Sequence, residues 1–76
     1  MVSAYVLVTT KSGAEKEVLD MLKKSPKIKI AKIVYGEYDV IAKIDLPDIT
    51  ALNEYLLTYF RQISGIEKTV TLIVAT

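Results

Sequence analysis

Apolar side chains alternate along the first ten residues at both parities, with Val2, Ala4, Val6 and Val8 on one face and Tyr5 and Leu7 on the other. A strand that is apolar on both faces is one that is covered on both, by helices on one side and by a further layer or subunit on the other. Lys11-Ser12-Gly13 breaks this strand. Ser12, with Glu15 three positions later, predicts a capping box opening a helix that runs to about Lys24 and buries Ala14, Val18, Met21 and Leu22. Pro26 ends that helix. Residues 27–35 read as a second strand, with Ile28 and Ile30 on one face, Ala31, Ile33 and Tyr35 on the other, and a bulge near Ala31 where the parity changes. Lys27, Lys29 and Lys32 have the spacing of a phosphate-binding stripe and equally that of lysines guarding an exposed sheet edge, and edge protection is the expected role. In a third strand Val40, Ala42 and Ile44 alternate with Ile41, Lys43 and Asp45. Leu46-Pro47-Asp48 then opens a second helix with a stripe of Ile49, Leu52, Leu56, Tyr59, Phe60 and Ile63, and Gly65 is placed to end it in the left-handed conformation. Residues 67–75 form the last strand, with Val70, Leu72 and Val74 on one face and Thr69, Thr71, Ile73 and Ala75 on the other.

The order βαββαβ with right-handed crossovers predicts an α+β, ferredoxin-like fold: a four-stranded antiparallel sheet with both helices on one face. If the even-numbered positions of the first, third and fourth strands face the helices, Tyr5, Leu7, Ile41 and Ile73 are left on the opposite face. A contiguous apolar patch of that kind marks an interface, so the expectation is a homodimer packed sheet to sheet, a dimeric α/β barrel. Each such side chain contributes ~1.5 to 3 kcal/mol on full burial.

Composition strengthens the case for assembly. A chain of 76 residues makes one domain, 1–76, and a folded chain of this size is marginal by itself, burying only about 60% of its extended surface. There is no Cys to add a disulfide and no His to act as general base or soft metal ligand. A hydrophobic fraction of 51% is more than so small a body hides. Net charge is +1, far from the basic footprint of an isolated nucleic-acid-binding domain. No signal peptide or membrane-length apolar run is present, and the chain reads as cytoplasmic.

The unusual stretch is Tyr35-Gly36-Glu37-Tyr38-Asp39, between the second and third strands. Gly36 and Asp39 suit an ordinary turn, in which Gly supplies positive φ and Asp accepts a local backbone bond. They also suit a loop whose backbone is shaped to meet a ligand. No nucleophile and base pair, phosphate loop or paired catalytic carboxylates occur, so the expectation is that the chain is not an enzyme and carries no cofactor. Glu37 and Asp39 alone are too few ligands to hold a metal.

Val34-Tyr35-Gly36-Glu37-Tyr38-Asp39-Val40-Ile41 together with Ser64-Gly65-Ile66-Glu67-Lys68-Thr69-Val70-Thr71-Leu72-Ile73-Val74 resembles the C-terminal effector domain, or RAM domain, of the Lrp/AsnC transcriptional regulators, and the similarity extends to the opening strand. The resemblance implies sheet-to-sheet dimers assembled into octamer-like rings, with an amino acid or related small metabolite bound in clefts between dimers. Position by position it implies that Gly36, Tyr38 and Asp39 form the effector loop and that Thr69 and Thr71 line the same cleft from the last strand. Gly36 would let the backbone approach an α-carboxylate, and Asp39 would accept from an α-ammonium. The chain has no room for the helix-turn-helix such regulators use on DNA, so no direct nucleic-acid contact is expected. It would act instead by co-assembling with full-length Lrp/AsnC regulators. The alternatives are a small dimeric α/β-barrel enzyme of the monooxygenase or isomerase type, and an ACT-like amino-acid module.

Overall fold

The computed structural model describes residues 1–76. Strand β1 (Val2–Thr10) leads to helix α1 (Glu15–Lys23), strands β2 (Ile28–Ile33) and β3 (Val40–Leu46), helix α2 (Ile49–Thr58), a 3-10 turn (Phe60–Gln62) and strand β4 (Ile66–Ile73). The strands form one sheet in the order β2-β3-β1-β4, every pair antiparallel. This is the expected ferredoxin-like arrangement. The two central strands carry the core: Ala4, Val6 and Val8 of β1 pair with Ile44, Ala42 and Val40 of β3 and all six are fully buried. Val18 and Leu22 of α1, Leu52 of α2, and Phe60 and Ile63 beyond it close that layer from above. No helix is long and apolar enough to cross a membrane.

The two helices are joined by their aromatic side chains. Tyr55 and Tyr59 stack with ring centroids 5.3 Å apart, and Phe60 meets each of them edge-on. The Tyr55 hydroxyl donates to Ser25 Oγ at 2.5 Å, and the Tyr59 hydroxyl donates to the Met21 carbonyl, which also accepts from the Lys24 amide at 3.3 Å at the end of α1.

Several local expectations are corrected. Ser12 does not cap α1: Gly13, at φ +80, turns the chain so that Ala14 takes the N-cap position and the helix begins beyond the reach of the serine. Glu15 still reaches back, but its Oε1 accepts from the Gly13 amide at 3.2 Å. At the second helix Asp48 does cap, accepting from the Ala51 amide at 2.8 Å, while Ile49 points to solvent. Gly65 is not in the left-handed region. A Cβ there would lie 2.7 Å from Val18 Cγ2 and 3.0 Å from Ala14 Cβ, so the residue is glycine because α1 packs onto its backbone. The bulge in β2 falls between Ile28 and Ile30 rather than near Ala31, which puts Ile28 with Ala31 on the core side and leaves Ile30 outside.

The correction that matters most for function lies in β4. Thr9 pairs with Lys68 and Thr10 with Ile66, so Glu67 is an extra residue that reverses the parity of everything after it. Ala4 pairs with Ile73, Val6 with Thr71 and Val8 with Thr69. Directly opposed residues share a face, so the odd positions of β4 lie on the helix side. Ile73 therefore does not belong to the open face. Val70 and Leu72, opposite Leu7 and Tyr5, take that place.

Candidate functional site

Two separate constellations stand at the end of the sheet where β1 stops and β4 begins. The first is the loop between β2 and β3. It is closed by the Val34 amide donating to the Asp39 carbonyl at 2.8 Å, and it is tied to β1 by the Asp39 amide donating to the Val8 carbonyl at 2.9 Å. Asp39 Oδ2 accepts from the Thr10 amide at 2.9 Å and lies 3.3 Å from the Thr10 hydroxyl. The same hydroxyl is 3.4 Å from Glu15 Oε1; having one proton, it serves one carboxylate at a time. At the loop tip Gly36 sits at φ +129, a conformation that side chains other than glycine's rarely permit. Tyr35 beside it is fully exposed, and Tyr38 is half-buried. Asp39 thus has a structural task in addition to any contact with a ligand.

The second constellation is a hollow of about 370 Å³ between the end of α2 and the start of β4. Leu56, Leu57, Phe60, Ile63 and Ile66 make its apolar floor and walls. Arg61, Glu67, Lys68 and Thr69 supply its polar groups. The bulge at Glu67 is what brings Thr69 to this side of the sheet. Thr71 is half-buried on the same face one step further along, opposite Val6, and does not line the hollow. The structure thus brings Thr69 into a concave site and leaves Gly36, Tyr38 and Asp39 outside its lining. Arg61, Glu67 and Lys68 were not singled out by sequence reasoning. The one signal in the sequence was Arg61, the single arginine of the chain, eight residues before Thr69.

The open face of the sheet carries Tyr5 and Leu7 of β1, Ile41 of β3, and Val70 and Leu72 of β4 in adjacent rows, with Lys32 and Lys43 toward the β2 edge. Leu72 is 53% exposed and Tyr5 39%. Nothing within the chain covers this face, because both helices cross the other one.

The chain thus combines a ferredoxin-like fold, a hollow at one end of its sheet and an uncovered apolar sheet face. Comparison with known proteins places it: the Lrp/AsnC ligand binding domain matches residues 3–76, and the chain belongs to that family. The regulator FL11 of Pyrococcus horikoshii is 37% identical over 71 residues, covering 93% of this chain and 46% of that protein. The chain therefore spans about half the length of the curated relatives it matches. Among solved structures, FFRP-DM1 superposes with TM-score 0.94 at 36% identity, covering 99% of this chain and 100% of the other. E. coli AsnC gives TM-score 0.94 at 26% identity, with 99% of this chain matched to 51% of that one. The relatives that share this domain are named transcriptional regulators.

Proposed function

We propose that this chain is a cytoplasmic effector-sensing and assembly module of transcriptional regulation, not an enzyme, and that its effector is an amino acid or closely related metabolite. The observation that carries this reading is the hollow at Thr69, where two cations, a carboxylate and a hydroxyl line an apolar floor within a domain of the Lrp/AsnC family. An amino acid offers the complementary charges, a carboxylate for Arg61 and an ammonium for Glu67. The site is completed by a second copy, whose exposed 35–37 loop tip, projecting from the same end of the sheet, closes the mouth of the hollow. Copies pair first through the open sheet face of Tyr5, Leu7, Ile41, Val70 and Leu72, and the dimers then join into a ring. With a net charge of +1, residues 1–76 carry no basic footprint for DNA. The module alters the response of full-length Lrp/AsnC regulators by pairing with them through the same face.

A thermal-unfolding screen against the amino acids at millimolar concentration tests the effector reading. A ligand at ~100 times its Kd adds about 2.7 kcal/mol, several degrees in a domain this small. Arg61→Gln, at an exposed position, abolishes the shift if the hollow is the site. A shift that survives in that variant places the ligand elsewhere, and no shift with any amino acid removes the effector reading. Native mass spectrometry of the chain mixed with a full-length regulator tests the partnership, and the absence of any mixed species counts against it.

A further inference from the structure

We infer that the free edge of β2 is a docking surface for an extended acidic segment of a partner protein, which adds to the sheet as a further strand. In the order β2-β3-β1-β4, strand β2 is bonded on one side only. The Val34 amide is turned inward to the Asp39 carbonyl, and successive residues of an antiparallel strand alternate in direction, so Ala31 and Ile33 direct their amides and carbonyls out from the sheet. The bulge between Ile28 and Ile30 does not reach them, because from Ile30 to Ile33 the pairing with β3 runs without interruption. A hollow of about 470 Å³ lies along this edge. Its lining takes Ile28 and Ala31 from the core side of β2, Ile30 and Lys32 from the open side, and Lys23 from the end of α1, so it follows the edge rather than either face. It shares no residue with the hollow at Thr69, and the inference stands independently of the effector reading.

Charge along this edge has one sign. Net charge is +1, yet five of the ten basic residues, Lys23, Lys24, Lys27, Lys29 and Lys32, fall between positions 23 and 32, and no acidic residue lies between Asp20 and Glu37. Such lysines keep a second copy of the same edge away, since like charges on facing strands repel. Guarding alone would need only the charges. Here Ile30 and Ile33 stand beside them 49% and 44% exposed, one on each face of the strand. Outward backbone donors and acceptors, uncovered isoleucines and a run of cations together fit a strand that alternates apolar and carboxylate side chains. A nucleic-acid backbone answers the lysines only: its phosphates bring no donor to the outward carbonyls and no apolar surface to the isoleucines.

Fluorescence anisotropy of a labelled peptide of ~6 alternating valine and glutamate residues tests this. The comparisons are the same peptide with proline at its centre, an alternating valine and lysine peptide, and a labelled DNA duplex. The valine-glutamate peptide is expected to bind at least tenfold more tightly than the other three, with an affinity that falls as salt is raised. Proline removes an amide that the ladder needs, so equal binding of the proline peptide overturns the added-strand geometry. Equal or tighter binding of DNA makes the edge a general polyanion surface and overturns the inference, as does binding of none of the four. The double variant Lys29→Glu, Lys32→Glu changes two exposed positions and should melt close to the parent while weakening the peptide at least tenfold; unchanged affinity overturns the assignment to this edge. Amide hydrogen exchange gives a separate reading. In the protein alone the Ala31 and Ile33 amides are expected to exchange fast, and to slow when the peptide is added. Protection of both without peptide means that a second copy already holds the edge, and the inference falls.

Discussion

At Gly65 there is no room for a methyl group. The Cβ of an alanine would be 2.7 Å from Val18 Cγ2, and neither can retreat, since Val18 is fully buried and Gly65 carries the carbonyl that accepts from the Lys11 amide at 2.9 Å. Gly65→Ala is therefore expected to cost ~1–3 kcal/mol, with Tm lowered by several degrees. Thermal unfolding of Gly65→Ala, Val18→Ala and the double variant checks the cause: the double variant should lose less than the sum of the singles. Asp39 is a second residue whose structural role must be separated from its proposed one. Asp39→Ala leaves the Thr10 amide without its acceptor, a loss of about 1–3 kcal/mol, so abolished ligand binding in that variant would not by itself identify a ligand contact. Tyr55 supplies a pH dependence. Burial raises its phenol pKa above the ordinary 10.0, the Ser25 hydrogen bond pulls it partly back, and Tyr59 adds to the rise. The folded state thus keeps this proton to higher pH than the unfolded state does. The stabilisation is complete at neutral pH and is lost as pH climbs from about 10 towards the folded-state value. Tyr55→Phe should lower Tm at pH 7 through the lost Ser25 bond and flatten the decline of Tm above pH 10; an unchanged alkaline decline would mean another group causes it.

Among the elements, β1 and β3 were legible because one parity of each is wholly apolar and the sheet buries it. β4 was not, since Val70, Leu72 and Val74 occupy one parity and Thr69, Thr71 and Ile73 the other. Either set passes for a core face. The bulge at Glu67 decides between them, and a bulge is set by pairing with β1, which no local pattern reports. The same limit explains Gly65: a glycine after a helical stripe reads as a left-handed terminator, and only the tertiary approach of α1 reveals that it is needed for clearance. Ser12 failed as a cap for a local reason, the positive φ of Gly13 intervening. The consequence of the β4 register is testable because Leu72 and Ile73 are neighbours with similar exposure, 53% and 49%, on opposite faces. In the proposed dimer Leu72→Lys buries a charge in the sheet-to-sheet interface and should give monomers in sedimentation velocity, whereas Ile73→Lys should sediment like the parent. The reverse result would restore Ile73 to the interface and refute the bulged register of β4.

For the whole molecule, the separation of the 35–37 loop tip from the Thr69 hollow is the central fact. The hollow is open to solvent on one side, and the loop carries a fully exposed tyrosine. If copies complete one another, ligand and assembly are linked, and each strengthens the other by the same factor. A site contained in one chain has no such linkage. Complementation between two inactive variants separates the cases. Arg61→Gln disables the hollow and keeps the loop; Gly36→Val, forced to φ +129, disables the loop and keeps the hollow. Each alone is expected to bind no ligand. Mixed in equal amounts and allowed to exchange subunits, a ring with sites shared between neighbours recovers about a quarter of its sites, those pairing an intact hollow with an intact loop. Calorimetric stoichiometry reads that fraction directly. If the mixture stays silent after exchange has been shown by mass spectrometry, each site belongs to a single chain; if Gly36→Val alone binds like the parent, the loop returns to the role of a turn.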